Sequence, residues 1–203
     1  MSPPSSAPTA EATENWSLVS RDAPDLGLYG LVEAKIFVPR TRPGTVRRTR
    51  TLRRLRAARN RRVVKVLAPP GYGKTSLVAQ WAGGDPRSVA WLTADDGDND
   101  PVVFLTYLAT AIDRVAPLDP DVLADITAGV LAARAAVGRL LAAISRRGEP
   151  LLVVIDDAQR VTDRTCLDAL AEFVTYLPAA SQVVIASRAP VDLPFSAGAP
   201  TGR

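Results

Sequence analysis

Hydrophobic and polar positions fall into blocks along this chain, and the period changes from block to block. Val63-Val64-Lys65-Val66-Leu67 is short and β-branched, which predicts a strand. Ser88-Val89-Ala90-Trp91-Leu92-Thr93 predicts a second. Leu151-Leu152-Val153-Val154-Ile155 is a continuous apolar run, the mark of a strand buried on both faces. Gln182-Val183-Val184-Ile185-Ala186 predicts a fourth, also buried. Between them the apolar positions take helical spacing. Leu52, Leu55 and Ala58 predict a short amphipathic helix within residues 49–60, and residues 76–81 read as another. Phe104, Tyr107, Leu108, Ala111 and Ile112 form a stripe behind Pro101, which suits a first helical turn, with Asn99 or Asp100 as its cap. Residues 119–145 predict one or two further helices, ended by Arg146-Arg147-Gly148-Glu149-Pro150, and residues 162–176 one more. Strands alternating with helices imply βαβ units, hence an α/β fold with a mainly parallel sheet flanked by helices.

Outside these blocks the pattern fades. Residues 1–30 are rich in Pro, Ser and Ala and predict a disordered tail; residues 195–203 predict another. Lys35-Ile36-Phe37-Val38-Pro39 begins the ordered part, and Pro43-Gly44 signals a turn. The expected organisation is therefore a tail (1–30), an entry segment with a basic helix (31–62), a core (63–194) and a second tail (195–203). No repeat of solenoid length is present.

Composition narrows the chemistry. With 47% hydrophobic residues among 203, a sizeable core is possible. There is no His, which removes Ser-His and Cys-His nucleophilic machinery and His-ligated metal sites. The lone Cys166 can form neither an internal disulfide nor a cysteine-cluster zinc site, so a cytoplasmic location is the simplest expectation. No signal peptide is visible, and the longest apolar stretch, residues 123–144, carries Asp125, Arg134 and Arg139, so no membrane contact is expected. The net charge of +4 is modest but unevenly spread. Eleven arginines and no acid lie between Arg40 and Arg62, whereas Asp95, Asp96, Asp98 and Asp100 cluster later.

The segment Ala68-Pro69-Pro70-Gly71-Tyr72-Gly73-Lys74-Thr75 follows a predicted strand and leads into a predicted helix. It follows the phosphate-loop pattern with Ala68 in place of the first Gly. Pro69 and Pro70 have no N–H, so the anion cradle must come from Gly71, Tyr72, Gly73, Lys74 and Thr75, with Ser76 also expected at the nucleotide, while the prolines stiffen the approach. Lys74 is expected at the β- and γ-phosphates, and the Thr75 hydroxyl at Mg²⁺. These residues predict a P-loop NTPase that binds ATP with Mg²⁺, with four core strands visible.

A phosphate loop needs a metal-side carboxylate from the end of another buried strand. Asp156, after Ile155, is expected in that role. Asp157 occupies the place of a water-activating Glu. A shorter Asp sits further from the water, so hydrolysis is expected to be slow or absent: a weak ATPase at most. The alternative is that the Asp-Asp pair caps the following helix. The fourth predicted strand runs into Arg188, which is expected either to contact a γ-phosphate or to be an ordinary exposed Arg.

Four segments together resemble the ATPase domain of the large LuxR-type transcriptional regulators, the family of the maltose regulon activator and part of the STAND class of signal-transduction ATPases. They are residues 34–48, residues 68–81, the stretch from Val89-Ala90-Trp91-Leu92 through Asp95 and Asp98-Asn99-Asp100 to Phe104, and Val153 to Asp157 with Leu177-Pro178 and Val184 to Arg188. The resemblance covers about Leu31 to Pro194. It implies that Val46 and Arg48 lie near the adenine, although the family usually carries Pro where this chain has Arg47 and Thr49. It implies that Arg188 senses the γ-phosphate, and it makes Ala68 unremarkable.

Members of that family are several times longer and continue into a fifth core strand, a winged-helix segment, helical repeats and a DNA-binding helix-turn-helix. The family pattern stops after Leu193-Pro194, so the chain is expected to be a truncated regulator, a gene fragment or a stand-alone remnant. DNA binding is not expected from this chain itself, and a partner chain or the missing C-terminal domains would supply the output. Without the fifth strand, Val63 to Leu67 would keep an open edge, which predicts marginal stability. The leading expectation is an ATP-binding switch module linked to transcription regulation. One alternative is a nucleic-acid-binding protein using the Arg40 to Arg62 segment, although no aromatics interleave the arginines to stack bases. The other is a degenerate fragment without activity.

Overall fold

The four strands form where the apolar runs predict them: β1 (Val63–Leu67), β2 (Ser88–Thr93), β3 (Leu151–Asp156) and β4 (Gln182–Ser187). The computed structural model describes residues 33–40 and 48–194. The expected tails, the Pro43-Gly44 turn and Val46 lie outside the described residues. The strands make one parallel sheet in the order β1-β4-β3-β2. Every residue of β3 and β4 is buried, as continuous apolar runs require. Among the described residues β1 pairs only with β4, and three of its five positions are only partly buried, so it is an edge strand.

Among the described residues six α-helices accompany the sheet: α1 (Thr49–Ala57), α2 (Lys74–Ala82), α3 (Pro101–Asp113), α4 (Pro120–Thr127), α5 (Ala133–Arg147) and α6 (Arg164–Tyr176). The stretch expected to hold one or two helices holds two, because Gly129 takes a left-handed φ of 66° after α4. Gly148, at φ 72°, ends α5. Asp100 caps α3 through Val102 N and Val103 N, with Pro101 in the first turn. Asp163 caps α6 by accepting from Cys166 N at 2.9 Å, so neither Asp156 nor Asp157 is needed as a helix cap.

One face of the sheet presents Leu152, Val154, Val184 and Ala186 to α1 and α2. There Leu52, Leu55, Leu77, Val78 and Trp81 close a core. Trp81 is fully buried at its centre; truncation to Ala would cost about 3–5 kcal/mol. Helices α3 to α6 pack on one another and cover the opposite face, where Val153, Ile155, Val183 and Ile185 are buried. The outer surface of α1 carries Arg50, Arg53, Arg54 and Arg56, all exposed.

Gln182 is a polar residue in a buried strand, and its bonds account for it. Its Nε2 donates to Ala58 O (2.7 Å) and Arg61 O (2.6 Å), and its Oε1 accepts from Arg87 Nη2 at 3.0 Å. This ties the end of α1 to β4. The parallel register aligns the carboxyl ends of the strands: Leu67 pairs with Ser187, and Thr93 with Asp156. Ligands of open parallel sheets bind beyond such ends.

Candidate functional site

Beyond β1 the chain keeps one more rung to β4, with Ala68 N donating to Ser187 O at 3.2 Å. It then turns. Gly71 (φ 78°) and Gly73 (φ 69°) both take the left-handed conformation that only Gly adopts without cost. A Cβ at Gly71 would meet nothing within 4 Å, so this backbone faces open space. Helix α2 makes its first internal bond from Leu77 N to Gly73 O, at 3.0 Å. The N–H groups of Lys74, Thr75 and Ser76 precede that bond and are the unpaired donors of a helix start, where the helix dipole favours an anion. Two left-handed residues ahead of a helix shape an anion nest.

Lys74 is buried and its Nζ donates to Pro69 O at 3.2 Å, so the proline that cannot donate supplies an acceptor instead. Tyr72 is 59% exposed, with its ring in solvent. Arg48 caps α1, and its Nη2 lies 3.7 Å from where a Cβ at Gly73 would sit. Its guanidinium is therefore against the phosphate loop.

The Thr75 hydroxyl donates to Asp156 Oδ2 at 2.6 Å, although the residues are 81 apart in sequence. The other oxygen, Oδ1, accepts from Asp157 N at 3.0 Å. Asp156 is 1% exposed. Burial pushes its carboxyl above the ordinary aspartate value, and the bonds from Thr75 and Asp157 N offset this only in part. Asp157 itself takes φ 50°, a conformation uncommon for a residue with a side chain and typical of functional strand ends.

Two side chains escaped the sequence reading. Gln159 Nε2 donates to Asp157 Oδ1 at 3.0 Å, and its Oε1 accepts from Arg188 N (2.9 Å) and Ser187 Oγ (3.1 Å). A single amide thus joins the ends of β3 and β4. Arg160, at the end of the same turn, lines a cavity of about 420 Å³ with Gly71, Lys74, Thr75, Asp157 and Arg188. Only the three-residue spacing from Asp157 could have singled Arg160 out. The structure thus brings the loop, Asp157 and Arg188 to one cavity, with Asp156 bonded beneath it. A larger hollow of about 540 Å³ lies at the opposite, amino end of the strands, where Arg87 is already engaged by Asp85 and Gln182.

The residues fit a nucleotide phosphate with a hard divalent cation. A neutral hydroxyl and a buried carboxylate, both hard oxygen donors, already touch; a cation would relieve the burial of Asp156. Among the described residues no group of three or more Cys, Asp or Glu could hold a metal, so phosphate oxygens and water must complete such a shell. Among the described residues no helix is long and apolar enough to cross a membrane.

Comparison with known proteins points the same way. Residues 53–189 match the AAA domain family. The chain is 31% identical over 161 residues to the HTH-type transcriptional regulator MalT of Cronobacter sakazakii, covering 78% of this chain and 18% of that protein. It therefore spans well under a quarter of that relative's length. Among solved structures it is similar to a Walker-type ATPase of Pyrococcus abyssi, with a TM-score of 0.52 and 17% identity, over 73% of this chain and 47% of the other. At that identity the likeness is one of fold, a P-loop ATPase fold with a parallel sheet flanked by helices.

Proposed function

We propose that this chain, which belongs to the AAA domain family, binds ATP with Mg²⁺ and acts as a slowly hydrolysing nucleotide switch in transcription regulation. The observation that carries this is the Thr75–Asp156 hydrogen bond, placed where Lys74 and Arg188 converge on one cavity. Gly71 to Ser76 cradle the phosphates through backbone N–H groups, and Lys74 neutralises their charge. Thr75 and Asp156 hold the cation, which when bound draws charge from the phosphate oxygens. Arg48, held against the phosphate loop, borders the nucleotide.

Slow hydrolysis follows from the second carboxylate. Asp157 is one methylene shorter than Glu, and its Oδ1 is occupied by the Gln159 amide. Through the same amide, Asp157 is linked to the backbone of Arg188, so loss of a γ-phosphate at Arg188 would be felt at the ends of both β3 and β4. The kinship with MalT, an HTH-type transcriptional regulator, supports the regulatory role.

Titration calorimetry with MgATP and MgADP tests the reading, with Lys74→Ala as the control. Binding to the parent chain and none to the variant is expected; unchanged ATP affinity in Lys74→Ala would sink the proposal. A chain that binds neither nucleotide would be the degenerate fragment. A second reading, non-specific binding of nucleic-acid phosphates, rests on the exposed arginines of α1. A gel-shift series across salt concentrations tests it, and no shift at low salt removes it.

A further inference from the structure

Arg160 has no part in the phosphate-loop reading, yet it lines the same cavity. It ends a 3-10 turn, Ala158–Arg160, and its N donates to Asp157 O at 2.9 Å. Its backbone is held from the other side as well. Asn99 Nδ2 donates to Arg160 O at 2.9 Å, and Asn99 Oδ1 accepts from Thr162 N (2.7 Å) and Asp163 N (2.8 Å). The loop after β2 and the loop after β3 are thereby clipped together.

The side chain is held differently. Arg160 Nη1 donates to both carboxylate oxygens of Asp96, at 2.9 and 3.1 Å. The pair is exposed, with side-chain accessibilities of 42% and 78%. An exposed ion pair is screened and contributes little to stability. A polyphosphate in the cavity offers the same planar fork more charge and more acceptors.

We infer that Arg160 is a further phosphate-binding residue, and that Asp96 holds it off until nucleotide arrives. Asp96 then acts as an internal competitor of the nucleotide. Its release from Arg160 transmits occupancy of the cavity to the Asp96–Asn99 turn and so to the loop between β2 and α3. This rests on the cavity being a nucleotide site.

Calorimetry with MgATP on the full chain, Arg160→Gln, Asp96→Asn and the double variant separates the ideas. Loss of one charge-assisted contact should weaken ATP binding on the order of tenfold in Arg160→Gln. Asp96→Asn, which removes the competitor and leaves the cavity lining intact, should tighten ATP binding. In the Arg160→Gln background the same change should have no effect. Equal affinity of parent and Arg160→Gln overturns the inference while leaving nucleotide binding in place. Weaker binding in Asp96→Asn also overturns it, since that is the sign expected if the pair merely props up the loop. A parent chain that binds no nucleotide overturns the inference and the nucleotide reading together. Should Arg160→Gln fail to fold, the sign of the Asp96→Asn effect still decides.

Discussion

Lys35→Met is the sharpest test of how the entry segment is attached. Lys35 is 8% exposed and Asp98 fully buried. The ammonium donates to both oxygens of Asp98, at 2.8 and 2.9 Å, and lies 3.0 Å from Asp95 Oδ2 and 4.0 Å from the centre of the Tyr107 ring. Methionine keeps most of the stem volume and removes the charge. Asp98 would then remain buried with the N–H of Asp95, at 2.7 Å, as its partner. Breaking a buried pair from one side costs about 3–5 kcal/mol. In a domain of this size each kcal/mol lowers Tm by roughly 2–4 °C, so a fall on the order of 10 °C is expected.

Urea and thermal unfolding followed by tryptophan fluorescence measure this directly, since Trp81 and Trp91 are both buried. Asp98→Asn and the double variant complete a cycle, in which the double should lose at least about 1 kcal/mol less than the sum of the singles. The pH profile adds a sign. Burial alone would raise the Asp95 carboxyl, but the hydrogen bond and charge of Lys35, with Gly97 N–H, carry it below the ordinary value. A carboxyl depressed in the folded state adds stability above its unfolded value and loses it as pH falls through the folded one. That acid-side dependence should shrink in Lys35→Met. A variant within about 1 kcal/mol of the parent, or strictly additive singles, would refute the clamp.

Three further outcomes follow from the same structure. Asp156→Asn should raise the Tm of the chain alone and abolish the rise given by MgATP. A carboxyl raised by burial destabilises the fold above its raised value, with relief as pH falls through it, so a lower Tm for the variant at pH 8 would contradict the assignment. Burial, reinforced by Asp163, pushes the Cys166 thiol up to about 12, so maleimide labelling near neutral pH should track unfolding, and rapid labelling of the folded chain would contradict this. Glycine substitutions should have opposite signs: Gly73→Ala, at φ 69°, should cost roughly 1–2 kcal/mol. Gly138→Ala, inside α5 with nothing within 4 Å of its Cβ, should gain about 1 kcal/mol in the same denaturation assay.

Much of this molecule is written in local pattern. Each strand appears within one or two residues of its apolar run, because β-branched residues in an unbroken stretch have few other ways to bury themselves. The loop of residues 68–75 was legible because glycines between a strand and a helix constrain the backbone over a few residues. The acidic residues 95–100 looked like one charged cluster, yet the structure gives them separate duties. Asp95 closes its own turn, Asp96 holds Arg160, Asp98 is buried on Lys35, and Asp100 caps α3. No periodicity separates these cases, since all four are the same residue type within six positions.

What the sequence determined by itself was the set of elements and the chemistry of the loop, both consequences of neighbours along the chain. The strand order β1-β4-β3-β2 and its register decided the rest. They brought Thr75 to Asp156, Gln159 to Arg188 and Lys35 to Asp98, partners 81, 29 and 63 residues apart. Such pairs form only when packing chooses which strand ends lie side by side. That choice rests on burying whole faces of a sheet, to which these few polar contacts contribute little.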